Sequence, residues 1–136
     1  MLEIPTEKFI KQVDLRSSIV TLRSDGIMHF DIKAVEEFTE TDVKDILRTV
    51  KEIGHGSRFL NLVTFPAFVT ISKEARALSA SNEGNEYTIA DAMVVTSTAI
   101  KLVMNFYISF DKPVRPTRAF NTQDKAVEWL KKHTEY

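Results

Sequence analysis

The sequence predicts a single α/β domain, residues 1–136, with a mixed β-sheet, an N-terminal β-hairpin and about four helices. Three observations lead to this prediction: a hairpin pattern around Asp25-Gly26, short apolar runs that alternate with helical periodicity, and a buried strand that runs directly into an apolar helix at residues 89–110. The expected order is β-β-α-β-α-β-α-β-α. Strands that alternate with helices need crossover connections, which indicates a largely parallel or mixed sheet.

Composition and charge exclude several classes of function. The 136 residues are 43% hydrophobic and 27% charged, and a chain of this length buries roughly two-thirds of its unfolded surface in one core. Eighteen basic and nineteen acidic residues leave a formal net charge of -1. Nucleic-acid binders usually carry a basic excess that neutralises phosphates. We therefore expect no nucleic-acid partner.

The chain has no cysteine, which excludes disulfides, thiolate nucleophiles and Cys-ligated metals. Residues 1–11 contain two glutamates and no apolar core, unlike a signal peptide. The most apolar stretch, residues 99–110, is interrupted by Lys101 and Asn105 and is too short to cross a bilayer. We expect a cytoplasmic, bacterial protein without a transmembrane segment.

The chain begins with strands. Residues 9–15 suggest a short strand or a segment pinned to the core, and residues 18–23 are rich in β-branched side chains. They meet residues 27–32 across Asp25-Gly26, a pair typical of two-residue hairpin turns. In the second hairpin strand, alternate side chains share a face by the period of two. One face holds Met28, Phe30 and Ile32, and the other holds His29 and Asp31.

A connector at residues 33–38 leads to the first helix. Thr39 or Thr41 is the expected N-cap, and Gly54 and Gly56 are expected to end the helix. Between them, apolar residues recur at helical spacing: Val43, Ile46, Leu47, Val50 and Ile53. Residues 58–63 are a nearly continuous apolar run, typical of a strand covered on both faces.

Residues 64–71 are expected to form an apolar-rich loop, after which Ser72 caps a helix over residues 73–81. A polar turn at residues 79–86 precedes the buried strand of residues 89–95. The next helix runs from Ser97 to about residue 109 and has one polar row: Ser97, Lys101, Asn105 and Ser109. The rest of its circumference is apolar, so we expect it to be covered on nearly every side.

The C-terminal part predicts one more strand and one more helix. Asp111-Lys112-Pro113 ends the apolar helix because proline cannot continue it. A strand is expected over residues 117–120, and Thr122 caps the final helix. Its inward side consists of Ala126, Val127, Trp129 and Leu130.

Candidate polar sites are few. The three histidines share no ligand spacing with one another or with carboxylates, so we predict no metal site, no cofactor and no catalytic residue. Asp91 interrupts a buried strand, and a buried carboxylate is costly unless it is paired. The expected partner is Arg58, Arg76 or a backbone amide, and a catalytic acid is the less favoured alternative.

Ser97 follows the carboxyl end of the same strand, where ligands usually sit in open α/β sheets. Free amides at a helix N-terminus also attract anions. Capping by Thr96 explains the same residues, and we prefer that interpretation. Because of their position on and just after this strand, Asp91 and Ser97 are the candidate polar residues of a cleft.

Five segments together resemble one known family. They are D-G-I-M-H-F (25–30), A-D-A-M-V-V-x-S (90–97), N-F-Y (105–107), K-P-x-x-P-T-x-x-F (112–120) and A-x-x-W-L (126–130). In combination they resemble the STAS/SEC14-like domain family of uncharacterised bacterial proteins, which is related in fold to anti-sigma-factor antagonists. The resemblance covers most of the chain. It implies a STAS-like mixed β-sheet and no established activity.

In the antagonists, a serine in a D-S-S-G motif at a helix start is phosphorylated to switch partner binding. This sequence has V-T-I-S-K-E at residues 69–74 instead, with Thr70 and Ser72 in roughly that place. The resemblance therefore implies Thr70 and Ser72 as candidate phospho-switch or partner residues. The missing motif argues against the switch, although a phosphate at a helix N-terminus is favoured electrostatically.

The sequence and the resemblance are compatible with three classes of function. The first is a non-enzymatic regulatory or protein-interaction module of STAS type, with Phe65 and Phe68 on the partner surface. The alternative is binding of a small apolar or lipid-like ligand, because CRAL-TRIO lipid-transfer domains are similar in broad architecture. A chain of this size leaves little room for an acyl chain, since ligand pockets need roughly 300 Å³ or more. An enzyme is least favoured, because no nucleophile is paired with a base.

A homodimer is compatible with each of these functions. A helix that is apolar on most sides either lies deep in the fold or shares a face with a second chain. We expect Tyr107, Ile108 and Phe110 to lie on such a dimer or partner surface.

Overall fold

The computed structural model describes residues 9–133. Eight strands are β1 (Phe9–Asp14), β2 (Ser18–Arg23), β3 (Met28–Ile32), β4 (Glu37–Phe38), β5 (Phe59–Thr64), β6 (Thr70–Ile71), β7 (Thr88–Val94) and β8 (Thr117–Phe120). Four α-helices are α1 (Glu40–Gly54), α2 (Lys73–Ala80), α3 (Thr98–Phe106) and α4 (Gln123–Lys131). The predicted α/β class, the mixed sheet, the hairpin and the four helices are confirmed. The expectation that the N-terminus is not a signal peptide concerns mainly residues 1–8, which lie outside the described residues.

Six strands form one mixed sheet in the order β1-β2-β3-β5-β7-β8. The first three pair antiparallel, and β3, β5, β7 and β8 pair parallel. Each parallel strand is added on the same side of the one before it. Crossover connections of the same handedness therefore place α1, α2 and α3 on the same face of the sheet. Helix α4 follows the last strand and covers the opposite face. β4 and β6 pair parallel as a separate two-stranded sheet that the sequence did not predict.

The two faces of the sheet have different cores. Side chains of β5 and β7 alternate between them. On the α4 face, the buried residues are Ile27, Leu60, Leu62, Ala90, Ala92, Val94, Ala126 and Leu130. The other face, which we call the helical face, packs a larger cluster against α1, α2 and α3, including Val50, Val63, Met93, Ile100 and Met104.

The hairpin turn differs from the predicted two-residue type. The Gly26 amide donates to the Arg23 carbonyl at 3.0 Å, and the Arg23 amide donates to the Ile27 carbonyl at 2.9 Å. Of the loop residues, only Gly26 has positive φ, at 88°. These bonds define a three-residue loop in which glycine occupies the left-handed position.

Helix boundaries follow capping chemistry. Thr39 caps α1 and forms a reciprocal capping box with Asp42. The helix ends at His55, which adopts φ 53°, so a histidine takes the left-handed position expected of a glycine. Ser72 caps α2 as predicted. The N-cap of α3 is Ser97, so the preferred assignment to Thr96 is wrong.

The helix α3 is less covered than its sequence predicts. Ile100 and Met104 are buried, whereas the side chain of Leu102 is 65% exposed. A π-helical turn (Tyr107–Asp111) follows α3, and Lys112 ends it with φ 52°. The expectation that this helix is covered on nearly every side is wrong for the described chain. No helix within residues 9–133 is long and apolar enough to cross a membrane.

Candidate functional site

A cavity of about 120 Å³ lies on the helical face, between the sheet, α1, α2, α3 and the π-helical turn. Most of its wall is apolar and comes from strands and helices alike. Six of these side chains are Phe30, Ile46, Val50, Val63, Met93 and Met104. The parallel strands supply the floor, and three helices that cross on one side of them leave a space that their side chains do not fill.

One end of the cavity is polar and is built on two adjacent strands. Asn61 of β5 and Asp91 of β7 are paired in register, so both side chains project to the helical face. The Asn61 Nδ2 donates to Asp91 Oδ1 at 2.9 Å and to Thr88 Oγ1 at 3.0 Å. Asn61 is 3% exposed and Asp91 is 8% exposed. The two side chains form what we call the Asn61–Asp91 pair.

The hydrogen bonding of this pair is incomplete. Among residues 9–133, the Asn61 Oδ1 atom is buried and has no hydrogen-bond partner. Burial raises the pKa of the Asp91 carboxyl from 3.8 to about 6, and the hydrogen bond from Asn61 opposes that rise only in part. Buried polar atoms are normally satisfied, and one that is not calls for an explanation.

The cation expected beside Asp91 is absent from the described residues. Arg58 is exposed, and Arg76 pairs with Asp111, with its Nε 3.0 Å from Asp111 Oδ2. The Asp91 backbone amide donates to the Pro116 carbonyl, and within residues 9–133 the hydrogen bond that acts on the Asp91 carboxylate comes from a side chain. The prediction of Arg58, Arg76 or a backbone amide as partner is therefore wrong, since the side-chain partner is Asn61.

Tyr107 lines the same cavity and is 3% exposed. Its predicted place on a dimer surface is therefore wrong. Burial raises the pKa of the Tyr107 phenol far above its usual value, and the negative charges of Asp91 and Asp111 raise it further. The phenol thus remains protonated and keeps its hydrogen as a donor.

Arg76 also lines the cavity, but its charge is already used. Besides its ion pair with Asp111, the guanidinium lies over the ring of Phe106, 5.1 Å from the centroid. Both carboxylate and ring attract the cation. Arg76 thus links α2 to the turn that follows α3, and no described residue supplies a countercharge to Asp91.

The sequence predicts that Asp91 and Ser97 line the same cleft, but the structure separates them. Asp91 lies within β7 and lines the cavity, whereas Ser97 does not line it. The Ser97 hydroxyl accepts from the Ile100 amide at 3.2 Å as a helix cap. The residues are six apart, so one lies within the sheet and the other beyond the end of the strand.

The candidate phospho-switch lies elsewhere. Thr70 is exposed on β6, and the Ser72 hydroxyl accepts from the Ala75 amide at 3.0 Å. A shallow depression beside Ser72 is also lined by Glu37, Glu40 and Glu74. A phosphate on Ser72 would meet these carboxylates, and like-charge repulsion opposes the favourable effect of the helix N-terminus.

The predicted apolar surface is divided by the structure. Phe68 is 78% exposed and Phe110 is 69% exposed, whereas Phe65 and Ile108 are half-buried against the helical-face core. The Phe110 ring stacks on Phe106 at 4.7 Å between centroids. We call Leu102, Phe106, Phe110 and Val114, all exposed apolar side chains, the α3 patch.

A histidine, a hydroxyl and a carboxylate meet on the α4 face of the sheet. The His29 Nε2 is 2.8 Å from Thr64 Oγ1, and the Thr64 hydroxyl donates to Asp31 Oδ1 at 2.8 Å. Because the hydroxyl gives its proton to Asp31, His29 acts as its donor and not as its base. In a hydrolytic triad the histidine lies between hydroxyl and carboxylate. This cluster therefore has the wrong order for nucleophilic catalysis.

Metal binding finds no support in the described chain. Residues 9–133 contain no group of three or more histidines, aspartates or glutamates arranged to hold a metal ion.

Sequence reasoning missed Asn61 and Thr88 as site residues, and it assigned Tyr107 to a dimer or partner surface. A signal for Asn61 existed, because it interrupts the apolar run of residues 58–63 just as Asp91 interrupts residues 89–95. Two polar interruptions in neighbouring parallel strands indicate a shared site only once the strand register is known.

The fold and the cavity define an α/β domain with a largely apolar cavity on one face of the sheet and a polar pair in its wall. The chain belongs to the family described as a domain of unknown function, DUF7793, whose model matches residues 20–134. No curated protein matches the chain, and no solved structure matches it.

Proposed function

We propose that this protein is a non-enzymatic module that binds a small, largely apolar ligand in the cavity of the helical face. The observation that carries the proposal is an apolar cavity that ends at the incompletely hydrogen-bonded Asn61–Asp91 pair. Ligand sites commonly combine apolar walls with a few convergent polar groups. A buried carboxylate with a raised pKa in a cavity is also a marker of functional sites.

The size of the cavity limits the ligand. Its volume of about 120 Å³ is close to that of an engineered cavity of roughly 150 Å³ that binds benzene. It is well below the roughly 300 Å³ of a typical drug-sized pocket. The proposed ligand is therefore of the size of a substituted benzene.

Binding of toluene tests the proposal by nuclear magnetic resonance. Saturable amide shifts are expected at Asn61, Asp91 and Met93, with smaller shifts at their neighbours Ala90 and Ala92, which face α4. Toluene is used because it carries no polar group. Shifts confined to the exposed α3 patch, or shifts that do not saturate, would overturn the proposal.

Two variants sharpen the experiment. Val63 and Val94 are both 8% exposed on neighbouring strands, but they lie on opposite faces of the sheet. Val63→Phe places a ring in the cavity and should abolish toluene binding. Val94→Ala removes two methyl groups from the α4 face, so it should lower stability and leave toluene binding in place.

A second candidate is a regulatory or protein-interaction module of STAS type, including self-association. The α3 patch supports it, because its four apolar side chains are 46–69% exposed and such patches often mark interaction sites. The resemblance to bacterial STAS/SEC14-like domains agrees with this role and with a cytoplasmic location.

Sedimentation velocity tests the self-association part of this candidate. A concentration-dependent dimer is expected, and the double variant Phe106→Ser with Phe110→Ser should remain monomeric. Phe68→Ser removes an exposed phenylalanine outside the patch and serves as the control. A monomer at millimolar concentration for the unmodified chain would refute self-association.

A further inference from the structure

At the Asn61–Asp91 pair the amide hydrogens already have acceptors, whereas acceptor atoms are left over. The Asn61 Nδ2 group donates hydrogen bonds to Asp91 and Thr88. Its Oδ1 atom has no hydrogen-bond partner in the described chain. Asn85, another amide on the cavity wall, donates to the carbonyls of Ser79 and Ser81 at 2.8 and 2.7 Å. Both amides are therefore engaged, and the acceptors left at this end are Asn61 Oδ1 and the Asp91 carboxylate, with the Tyr107 hydroxyl as a neutral donor on the same wall.

The charged groups at this end of the cavity are also unbalanced, because one negative charge has no positive partner among the described residues. The titratable and charged groups that line the cavity are Arg76, Tyr87, Asp91 and Tyr107, and Asp111 borders it beside Arg76. Arg76 and Asp111 neutralise each other, and the Tyr107 phenol is neutral. Asp91 alone has no opposite charge beside it among residues 9–133. A carboxylate that is fully buried is stable as an anion only when a cation or several donors accompany it.

We infer that the ligand carries a protonated amine, whose ammonium group donates to Asp91 and to Asn61 Oδ1 while its apolar body fills the cavity. This inference rests on the proposed binding function and names its ligand class. An ammonium has three N–H donors and no acceptor, which matches a site rich in acceptors. Charge-assisted hydrogen bonds to a carboxylate are also roughly twice as strong as neutral ones.

Other head groups fit less well. A carboxylate or phosphate would place a second negative charge beside Asp91 and bring no donor to Asn61. An alcohol supplies one donor and no charge, so it satisfies one of the two acceptor groups. The apolar wall and the cavity volume restrict the amine to a body about the size of one aromatic ring.

Isothermal titration calorimetry with four matched probes tests the inference at pH 7.5. Benzylamine, benzyl alcohol, toluene and benzoate share one ring and differ in the substituent. Benzylamine is expected to bind about tenfold or more tightly than benzyl alcohol, a difference of about 1.4 kcal/mol. Benzoate is expected to bind most weakly.

Two variants separate the carboxylate from general electrostatics. Asp91→Asn should reduce the preference for benzylamine over benzyl alcohol about tenfold. Asp31→Asn removes the same charge from an exposed residue that does not line the cavity, and should preserve the preference. Equal loss in both variants would show attraction to net charge and overturn the inference.

The remaining outcomes distinguish the two proposals. If toluene, benzyl alcohol and benzylamine bind with equal affinity, the cavity binds ligands but the amine inference is wrong. If benzyl alcohol binds most tightly, the head group is a neutral donor and the inference is again wrong. If no probe binds to the cavity, the proposed function itself fails.

Discussion

Asp42 and Asp91 are both nearly inaccessible to solvent, at 2% and 8% exposure, but their surroundings are opposite. The Asp42 carboxylate accepts from Arg16 Nε and Nη2 at 3.1 and 2.6 Å, and from the Thr39 amide at 2.8 Å. Within residues 9–133, Asp91 accepts one side-chain hydrogen bond, which comes from an uncharged amide. One carboxylate is held by a cation and a helix cap, and the other faces a cavity.

The pKa of each group follows from these partners. At Asp42, burial favours the neutral acid, but hydrogen bonds from Arg16 and Thr39 outweigh it and hold the pKa below 3.8. At Asp91, burial dominates and raises the pKa to about 6. Asp42 therefore stabilises the fold as an anion, whereas Asp91 costs stability at neutral pH. A residue that costs stability in a cavity is typical of a binding site.

The largest effect is expected from Asp42→Ala, which should lower the free energy of unfolding by about 3 kcal/mol at pH 7 through the lost helix cap and the lost hydrogen bonds to a charged group. It removes the partner of Arg16 and half of the α1 capping box. Urea denaturation measures the loss. Asp45→Ala is the control in the same helix, because Asp45 pairs with Arg48 near the surface and such pairs contribute at most about 1 kcal/mol. Equal losses would contradict the structural role of Asp42.

The opposite sign is expected from Asp91→Asn, which should raise the free energy of unfolding by about 2 kcal/mol at pH 8. The amide oxygen still accepts from Asn61, and the buried negative charge is removed. Urea denaturation under the same conditions measures the gain. A loss of stability at pH 8 would mean that the Asp91 anion has a favourable partner.

The gain from Asp91→Asn should depend on pH. Asp91 has a pKa of about 6 in the folded protein and an ordinary value of 3.8, so the folded state holds a proton that the unfolded state has lost between these values. The stabilisation that comes from this bound proton is fully present below pH 3.8 and is lost as the pH rises through 6. Denaturation at pH 4 should therefore show a gain below about 0.5 kcal/mol. A gain that is constant from pH 4 to 8 would contradict this origin.

The smallest effect is expected from Thr88→Val, which should lower the free energy of unfolding by about 1 kcal/mol. Valine preserves the shape of threonine but removes the hydroxyl that accepts from Asn61. Thermal denaturation at pH 8 measures the difference. Thr117→Val, in a half-buried position on β8, removes a hydroxyl that donates to a backbone carbonyl and is the control. A neutral Thr88→Val variant would show that Asn61 donates equally well to another acceptor.

Local signals account for most of the fold that sequence reasoning predicted. Strand alternation at Met28, Phe30 and Ile32, and the caps Thr39, Ser72 and Thr122, depend on residues that are close in sequence. The pairing of β4 with β6 was missed because each strand has only two residues and no periodicity.

The candidate site was harder to predict because it depends on tertiary contacts. Asp91 was recognised as a costly interruption, but its partner Asn61 lies 30 residues away. Tyr107 was placed on the wrong surface because a helix that is apolar on most sides does not show which side faces the core. The π-helical turn at this point also changes the angular spacing of the side chains.

The cavity of the helical face has a consequence for the response to hydrostatic pressure. Unfolding eliminates the space that side chains leave unfilled in the folded protein. The volume of the protein and its solvent therefore decreases on unfolding, by an amount on the order of tens of millilitres per mole. The cavity of about 120 Å³ lies on one face of the sheet, whereas α4 packs directly on β5, β7 and β8 on the other face. Compression should therefore loosen α1, α2 and α3 before α4, and a bound molecule of the right size would make the protein more resistant to compression.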